Sequence, residues 1–281
     1  MRVTIWGCRG SVASPGPETV RYGGNTPCVE VRLADGTPVI LDAGTGIRSL
    51  GARLLAERPA EIHLLLSHLH LDHLVGLGFF QPLFAPGMTI HLWGPQSPVE
   101  SLEARISRYM SPPLFPVQLA DVRADVVMHD VPEEPWQIGA ATVTADPVSH
   151  QGPTLGYRLE EGGRTLTYIP DHEPAIGVDL EHVEQDWISG FRLADRADIL
   201  LHDAQYSAEE YADHVGWGHS SINQVVTLAK RANARELVLF HHDPFHNDAE
   251  LEALEVEARR LWGGSGTAPV LAYEGMELDL S

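Results

Sequence analysis

The segment Ser67-His68-Leu69-His70-Leu71-Asp72-His73 sets three imidazoles and a carboxylate almost side by side. In extended backbone, residues two apart project to the same side, so His68 and His70 can converge on one point. Asp72 suits the first turn of a helix, where a carboxylate meets free N–H groups, and with His73 it can face a second point nearby. Imidazole and carboxylate donors together suit Zn, Fe or Mn, and with no Cys in the set the pattern is not that of a structural zinc finger. More ligand-type residues follow, each directly after an apolar run: Ser149-His150 after 143–148, Pro170-Asp171 after 165–169, and His241-His242-Asp243 after 237–240. Strand ends deliver side chains rigidly to one rim. A two-metal centre, with ions roughly 3.5–4 Å apart, gathers its ligands from several such ends.

The elements that must hold these residues are legible as short apolar runs bounded by Gly, Pro or Asp. Strands are expected at 3–6, 28–33, 39–42, 62–66, 89–93, 125–129, 141–148, 154–159, 165–169, 199–202, 237–240 and 270–273. Helices are expected at 47–57, 73–80, 99–107, 207–213, 221–232 and 249–261. Several sheets' worth of strands with helices to cover them predict a four-layer α/β (α+β) fold, an αββα sandwich, over a doubly wound parallel sheet. No repeat, low-complexity tract or linker divides the chain, so residues 1–281 read as one domain.

Composition narrows the function. The chain of 281 residues carries 39 Asp and Glu against 19 Lys and Arg, a formal charge of −20. That argues against a protein whose main task is gripping a long nucleic-acid backbone, which needs clustered basic side chains. It leaves room for a small anionic substrate drawn in by a bound cation, whose charge is local and large. The N-terminal stretch has no signal-peptide core and no run long enough to span a bilayer, so the expectation is a soluble cytoplasmic protein without membrane partners. Cys8 and Cys28 read as buried thiols in a reducing compartment.

The intact HxHxDH motif, with His, Asp and His following in order, resembles the metallo-β-lactamase superfamily. The likeness runs from Gly23-Gly24-Asn25-Thr26 and Leu41-Asp42-Ala43-Gly44 to the last helix. It implies that His68, His70 and His150 hold one divalent metal ion, that Asp72, His73 and His241 hold another, and that Asp171 bridges them. Zn is the superfamily's default, and Mn or Fe fit the same ligands. His241 is preferred to His242 because it follows its strand directly, as the family's ligand does. Asp42 resembles the carboxylate that orients a metal-bound imidazole.

Two further features resemble the ribonuclease Z branch: Asp203 in Leu201-His202-Asp203-Ala204, and His219 in Gly218-His219-Ser220-Ser221. By that likeness Asp203 orients His219, and His219 acts as general acid; the family usually carries Glu where Asp203 stands. Ser220 reads as a cap for the following helix. Ribonuclease Z has a long tRNA-holding insert between its third His and the bridging Asp. Here His150 and Asp171 enclose only a simple hairpin, 151–170, turning at Glu160-Glu161-Gly162-Gly163. The short form is more similar to the branch's small-molecule phosphodiesterases, although the Cys/His structural zinc site that some of them carry is not seen. The expectation is hydrolysis of a small cyclic-nucleotide or phosphoribosyl cyclic phosphate diester, with hydroxide generated at two metals and His219 protonating the leaving oxygen. The alternatives are a ribonuclease Z-like RNA endonuclease, a metal-dependent carboxylic ester or lactone hydrolase, and a non-catalytic binder of a phosphorylated ligand. Residues 173–191 are candidates for a lid or a pocket wall, 77–84 and 109–115 for the pocket mouth or a homodimer contact, and Arg21, Tyr22 and Asn25 for an approach to the site. His63, His91, His129, His182 and His246 read as surface or packing residues.

Overall fold

The structure, a computed structural model, describes residues 1–264 and 266–280. The first half of the chain forms β1 (Arg2–Gly7), β2 (Cys28–Arg32), β3 (Pro38–Leu41), α1 (Ile47–Glu57), β4 (Glu61–Leu65), α2 (Leu71–Leu74), β5 (Thr89–Gly94), α3 (Leu102–Tyr109) and β6 (Asp125–Asp130). The second half forms β7 (Trp136–Ile138), β8 (Ala141–Pro147), β9 (Leu155–Glu161), β10 (Arg164–Ile169), α4 (Phe191–Ala194), β11 (Ile199–Asp203), α5 (Ala208–Asp213), α6 (Ile222–Arg231), β12 (Glu236–Phe240), α7 (Asp248–Trp262), β13 (Val270–Leu271) and β14 (Glu277–Asp279). Among the described residues there are two seven-stranded sheets, ordered β14-β1-β2-β3-β4-β5-β6 and β13-β12-β11-β10-β9-β8-β7.

Side-chain alternation sorts the core into layers. Val29, Val31, Leu41 and Leu65 of the first sheet meet Tyr157, Leu159, Tyr168, Leu201 and Phe240 of the second in one apolar layer. Ile62 and Leu64 point the other way, under Ile47, Leu50 and Leu54 of α1. Leu237 and Leu239 likewise lie under Val225, Ala229 and Leu251 of α6 and α7. Strands covered on both faces read as continuous apolar runs, which is why β4, β11 and β12 stand out in the sequence. The result is the expected αββα sandwich, mixed α/β with helices on both outer faces.

Parallel pairing sets the functional rim. Leu65 of β4 lies beside Leu41 and Trp93, so β3, β4 and β5 finish together. In the other sheet Ile169 pairs with His202, and Asp203 with Phe240, so β10, β11 and β12 finish together. The residues just past those ends are the ligand-type ones. Tyr157 ties the sheets there: its buried hydroxyl donates to the Leu66 carbonyl at 2.6 Å, directly before Ser67 and His68.

Some elements depart from expectation. The helix expected at 73–80 is the single turn α2, followed by a 3-10 turn at Leu77–Phe79. Gly76 passes so close to the 43–44 backbone that a Cβ there would sit 2.0 Å from the Gly44 carbonyl oxygen. The strands β7 and β14, three residues each, are too short to show a period. No helix among the described residues is long and apolar enough to cross a membrane. Replacing Tyr157 with Phe keeps the ring and removes one buried donor; urea unfolding is expected to show a loss of about 1–3 kcal/mol.

Candidate metal centre

The structure brings the seven expected residues to one place. His68 and His70 leave β4, Asp72 and His73 sit in α2, His150 follows β8, Asp171 follows β10 and His241 follows β12. One donor atom each from His68, His70 and His150 falls within 4.8 Å of the others, and the same holds for Asp72, His73, Asp171 and His241. Within the second group His73 Nε2 lies 3.4 Å from His241 Nε2, 3.2 Å from Asp72 Oδ2 and 2.9 Å from Asp171 Oδ1. In the first, His150 Nε2 is 3.3 Å from His70 Nδ1. Asp171 faces both groups: Oδ1 toward His73 and His241, Oδ2 toward His150 at 3.6 Å and His68 at 3.8 Å. Two donors each about 2.0–2.1 Å from a tetrahedral cation lie about 3.3–3.4 Å apart, so these spacings suit ligands around metal ions.

Hydrogen bonds at the outer nitrogens fix which ring atoms face inward. The Ser67 hydroxyl donates to Asp42 Oδ2 at 2.8 Å, so at the 3.0 Å contact with His68 it is the imidazole Nδ1–H that donates. His73 Nδ1–H donates to Asp42 at 2.8 Å, His150 Nδ1–H to the Gly218 carbonyl at 2.7 Å, and His241 Nδ1–H to Gln205 Oε1 at 3.0 Å. Four imidazoles are therefore set to present an unprotonated Nε2 to the centre, the arrangement that metal-bound histidines need. His68 Nε2 and Asp171 Oδ1 are buried without a hydrogen-bond partner. A buried orphan acceptor is costly unless something positive meets it, so the residues present fit divalent cations.

Charge leads to the same fit. Asp42, Asp72, Asp171 and Asp203 are all buried. Their partners are histidines, Ser67, Tyr168 and backbone N–H groups, among them Ser11 N–H donating to Asp72 at 2.9 Å. Burial by itself would raise the Asp171 carboxyl, but the rings of His241, His73 and His68 hold it well below the ordinary range. Burial would lower His73, and Asp171, Asp72 and Asp42 push it well above its usual value. A site that draws protons onto a buried imidazole in this way is short of positive charge.

Asp203 and His219 form a second, adjoining unit. His219 Nδ1 donates to Asp203 Oδ2 at 2.7 Å, and its ring lies 5.0 Å from those of both His150 and His241. Burial lowers the His219 pKa, but Asp203 first, then Asp171 and Asp72, push it up to about 9. Asp203 is itself held by the backbone N–H groups of His172 and Gln205 at 3.0 Å each. Asp is thus long enough here, despite the usual Glu.

Residues that the sequence pattern did not single out hold this arrangement in place. Glu173 is fully buried and accepts from Tyr211 Oη at 2.6 Å, Gly216 N at 2.9 Å and Gly218 N at 3.0 Å. It anchors the loop that carries both His219 and the Gly218 carbonyl. Gly218 itself (φ 88°) leaves no room for a Cβ, which would meet His150 Nδ1 at 2.4 Å. Gly10 is similarly pressed against His241. Ser11, Asp42 and His241 all adopt positive φ, at 59°, 63° and 59°. Each such residue costs on the order of 1–3 kcal/mol, and they gather at this rim. The sequence clue to Gln205 and Glu173 is only their two-residue offset from Asp203 and Asp171, which says nothing of what they touch.

His241, the preferred candidate, stands beside Asp72 and His73, while His242 turns away, its Nε2 2.8 Å from the Ala272 carbonyl oxygen, and burial holds its pKa down to about 3. Other expectations are corrected. The cap of α6 is Ser221, in a capping box with Gln224, whereas Ser220 Oγ donates to the His172 carbonyl. Arg21 pairs with exposed Glu252, Tyr22 packs in the outer core and Asn25 bonds Glu274, so none of the three reaches the site. In 173–191, Ile188 and Leu180 pack on Leu228 of α6 while Trp187 is exposed; part of 185–191 lines a separate surface pocket with Asp146 and Pro147, and none of the segment lines the cleft beside His68 and His70. The cleft beside His68 and His70, about 470 Å³, is lined instead by Leu71, Leu74, Tyr109, Leu114, Arg105 and Arg108. Replacing Asp171 with Ala takes the shared carboxylate from both donor groups. Zinc-loaded variant passed through a desalting column is expected to elute folded but with its paired metal lost, read by mass spectrometry of the metal and by circular dichroism.

The model of the β-lactamase superfamily domain matches residues 37–242. The uncharacterized protein Rv1339 of Mycobacterium tuberculosis is 30% identical over 254 residues, covering 87% of this chain and 82% of that one. A ribonuclease Z of Kineococcus radiotolerans is 28% identical over 277 residues, covering 85% of each. Among solved structures, the metallo-β-lactamase fold protein YhfI of Bacillus subtilis superposes with a TM-score of 0.71 at 20% identity over 99% of both chains. The short form of human tRNase Z gives 0.66 at 22% identity, covering 100% of both. A diphosphatase from the PhnP family gives 0.67 at 19%, covering 100% of this chain and 98% of that one. With the fold, the rim of His and Asp residues and the matching family model in agreement, the chain belongs to the metallo-β-lactamase superfamily of hydrolases.

Proposed function

We propose that the protein is a two-metal phosphodiesterase of small substrates, of the cyclic nucleotide or phosphoribosyl cyclic phosphate type. The observation that carries this reading is the 2.7 Å Asp203–His219 pair set against the metal-binding cluster. His68, His70 and His150 would hold one cation and Asp72, His73 and His241 the other, with Asp171 between them. Zn suits this donor set, and Mn or Fe can take the same ligands. Bound there, two divalent cations would supply an activated water and neutralise the non-bridging oxygens of a phosphodiester.

The chain's own residues account for the remaining chemistry. With Nδ1–H committed to Asp203, His219 has its other ring nitrogen free to carry the proton that a departing alkoxide needs as the P–O bond breaks. The Asp203 carboxylate stabilises the charged ring until that transfer and fixes its orientation. Glu173, through the 216–218 backbone, keeps His219 and His150 in register with each other. The cleft supports a small ligand: it has the volume of a small-molecule site, an apolar wall of Leu71, Leu74, Leu114 and Tyr109, and in its lining Arg105, bonded to the Pro95 carbonyl, and Arg108, paired with Glu100. The charge of −20 and the plain β9–β10 hairpin between His150 and Asp171 oppose a long RNA. A ribonuclease Z activity is the second reading, favoured by the identity to the Kineococcus enzyme.

Replacing His219 with Ala is expected to lower kcat for a cyclic nucleotide by roughly 10²–10⁴ while the metal content is kept; full activity in that variant would remove the proposed acid. One zinc- or manganese-loaded preparation assayed on bis(p-nitrophenyl) phosphate, cyclic nucleotides and precursor tRNA separates the two readings. Turnover of the small diesters in preference to the tRNA is expected, and the reverse order would establish the nuclease.

A further inference from the structure

A second group of histidines lies away from the rim, toward the opposite end of the parallel strands. Glu61 and His63 stand at the start of β4, His91 is the register partner of His63 on β5, and His129 is the partner of Trp93 on β6. All alternate onto the face of the first sheet that carries Leu65, close to where β7 ends the second sheet at Trp136.

We propose that Glu61, His63 and His91 form a further metal site, separate from the hydrolytic centre, that takes one divalent transition-metal cation of the zinc class. One donor atom from each lies within 4.8 Å of the others. His63 Nε2 is 3.3 Å from Glu61 Oε1, and His91 Nε2 is 3.6 Å from Glu61 Oε2. The first of these equals the roughly 3.3–3.4 Å between donors on a tetrahedral zinc ion, and the second is slightly longer. His63 is more than nine-tenths buried, yet its Nε2 has no aligned hydrogen-bond partner. It shares that property with His68 Nε2 at the hydrolytic centre. Burial holds the His63 ring below its ordinary pKa even beside Glu61, which keeps it neutral and able to coordinate.

The surroundings complete the site. His91 Nδ1 meets His129 Nε2 at 2.9 Å, so a proton on His91 Nδ1 donates outward and leaves Nε2 for the metal. His63 and His91 are stacked at 4.7 Å, and His129 stacks on Trp93 at 4.0 Å, which restrains the rings in these orientations. Trp93 Nε1 donates to His63 Nδ1 at 3.3 Å, the long end of such bonds. Coordination through His63 Nε2 moves that ring's proton to Nδ1 and opens this contact, so the indole reports on binding. Glu61 is half exposed and leaves the remaining coordination positions to water. The cation would clamp β4 to β5 at the end where the covering sheet runs out.

The test counts metal in the intact chain. Wild-type protein and the variants Glu61→Gln, His91→Gln and Asp171→Ala are loaded with zinc sulfate, passed over a chelating resin and analysed by mass spectrometry of the metal. Glu61→Gln and His91→Gln are expected to lose about one zinc per chain relative to wild type and to keep phosphodiester hydrolysis. Asp171→Ala is expected to retain that one zinc while losing the others. Copper(II) is expected to quench tryptophan fluorescence in wild type and Asp171→Ala, with the quench reduced in Trp93→Phe and in His91→Gln. Equal zinc content in wild type, Glu61→Gln and His91→Gln overturns the proposal, as does a quench unaffected by either substitution. Glu61→Gln alters a half-exposed side chain at the start of its strand, so its result stands even if His91→Gln misfolds. Loss of hydrolysis with this zinc retained bears on the hydrolytic reading alone.

Discussion

The Asp42 carboxylate, fully buried at the end of β3, is the constraint on which the rest of the rim depends. It accepts from Ser67 N at 2.7 Å and from Ser67 Oγ, Tyr168 Oη and His73 Nδ1 at 2.8 Å each. These donors come from the loop after β4, from β10 of the other sheet and from α2, so one side chain joins both sheets and the helix between them. Through Ser67 it also sets the tautomer of His68. A buried carboxylate left without its donors is costly, so the geometry of those four groups is enforced by the penalty of breaking any of them. The positive φ of Asp42 turns the carboxylate into the interface.

From this anchor, the arrangement extends outward as a chain of hydrogen bonds. Asp42 orients His68 and His73, Gln205 orients His241, and the loop held by Glu173 orients His150 and presents His219. The inward-facing atoms are lone pairs and carboxylate oxygens with little among them to neutralise charge. Such an assembly is unfavourable by itself and becomes favourable around cations, which makes metal binding and the local fold one equilibrium. Arg9, fully buried, performs a related task on the far side of His241 by donating to the carbonyls of Gly23, Asp243 and His246.

The same electrostatics bear on substrate choice. A chain of net charge −20 repels polyanions at long range, while a pair of buried cations would attract a phosphate at short range. Beside that centre lies a cleft with apolar walls and two arginines in its lining.

Much of this was legible in the sequence. Apolar runs ending in His or Asp located β4, β8, β10 and β12, because strands buried on both faces leave an unbroken hydrophobic signature; α1 was legible from its first to its last residue. Ligand-type residues at strand ends marked the rim, and the resemblance of the HxHxDH pattern to a known family picked out the seven among them. What the sequence could not carry was which nitrogen of each ring faces inward, or which distant group enforces it. Ser67, Tyr168, Gln205 and Glu173 are ordinary residues whose importance lies only in what they touch. His63, His91 and His129 looked like unrelated surface or packing residues, since their spacing along the chain means nothing until parallel strands set them side by side. Residue type and local periodicity determined the elements and the candidate donors. Only strand register and the packing of two sheets, which depend on contacts between residues far apart in the chain, decided their partners.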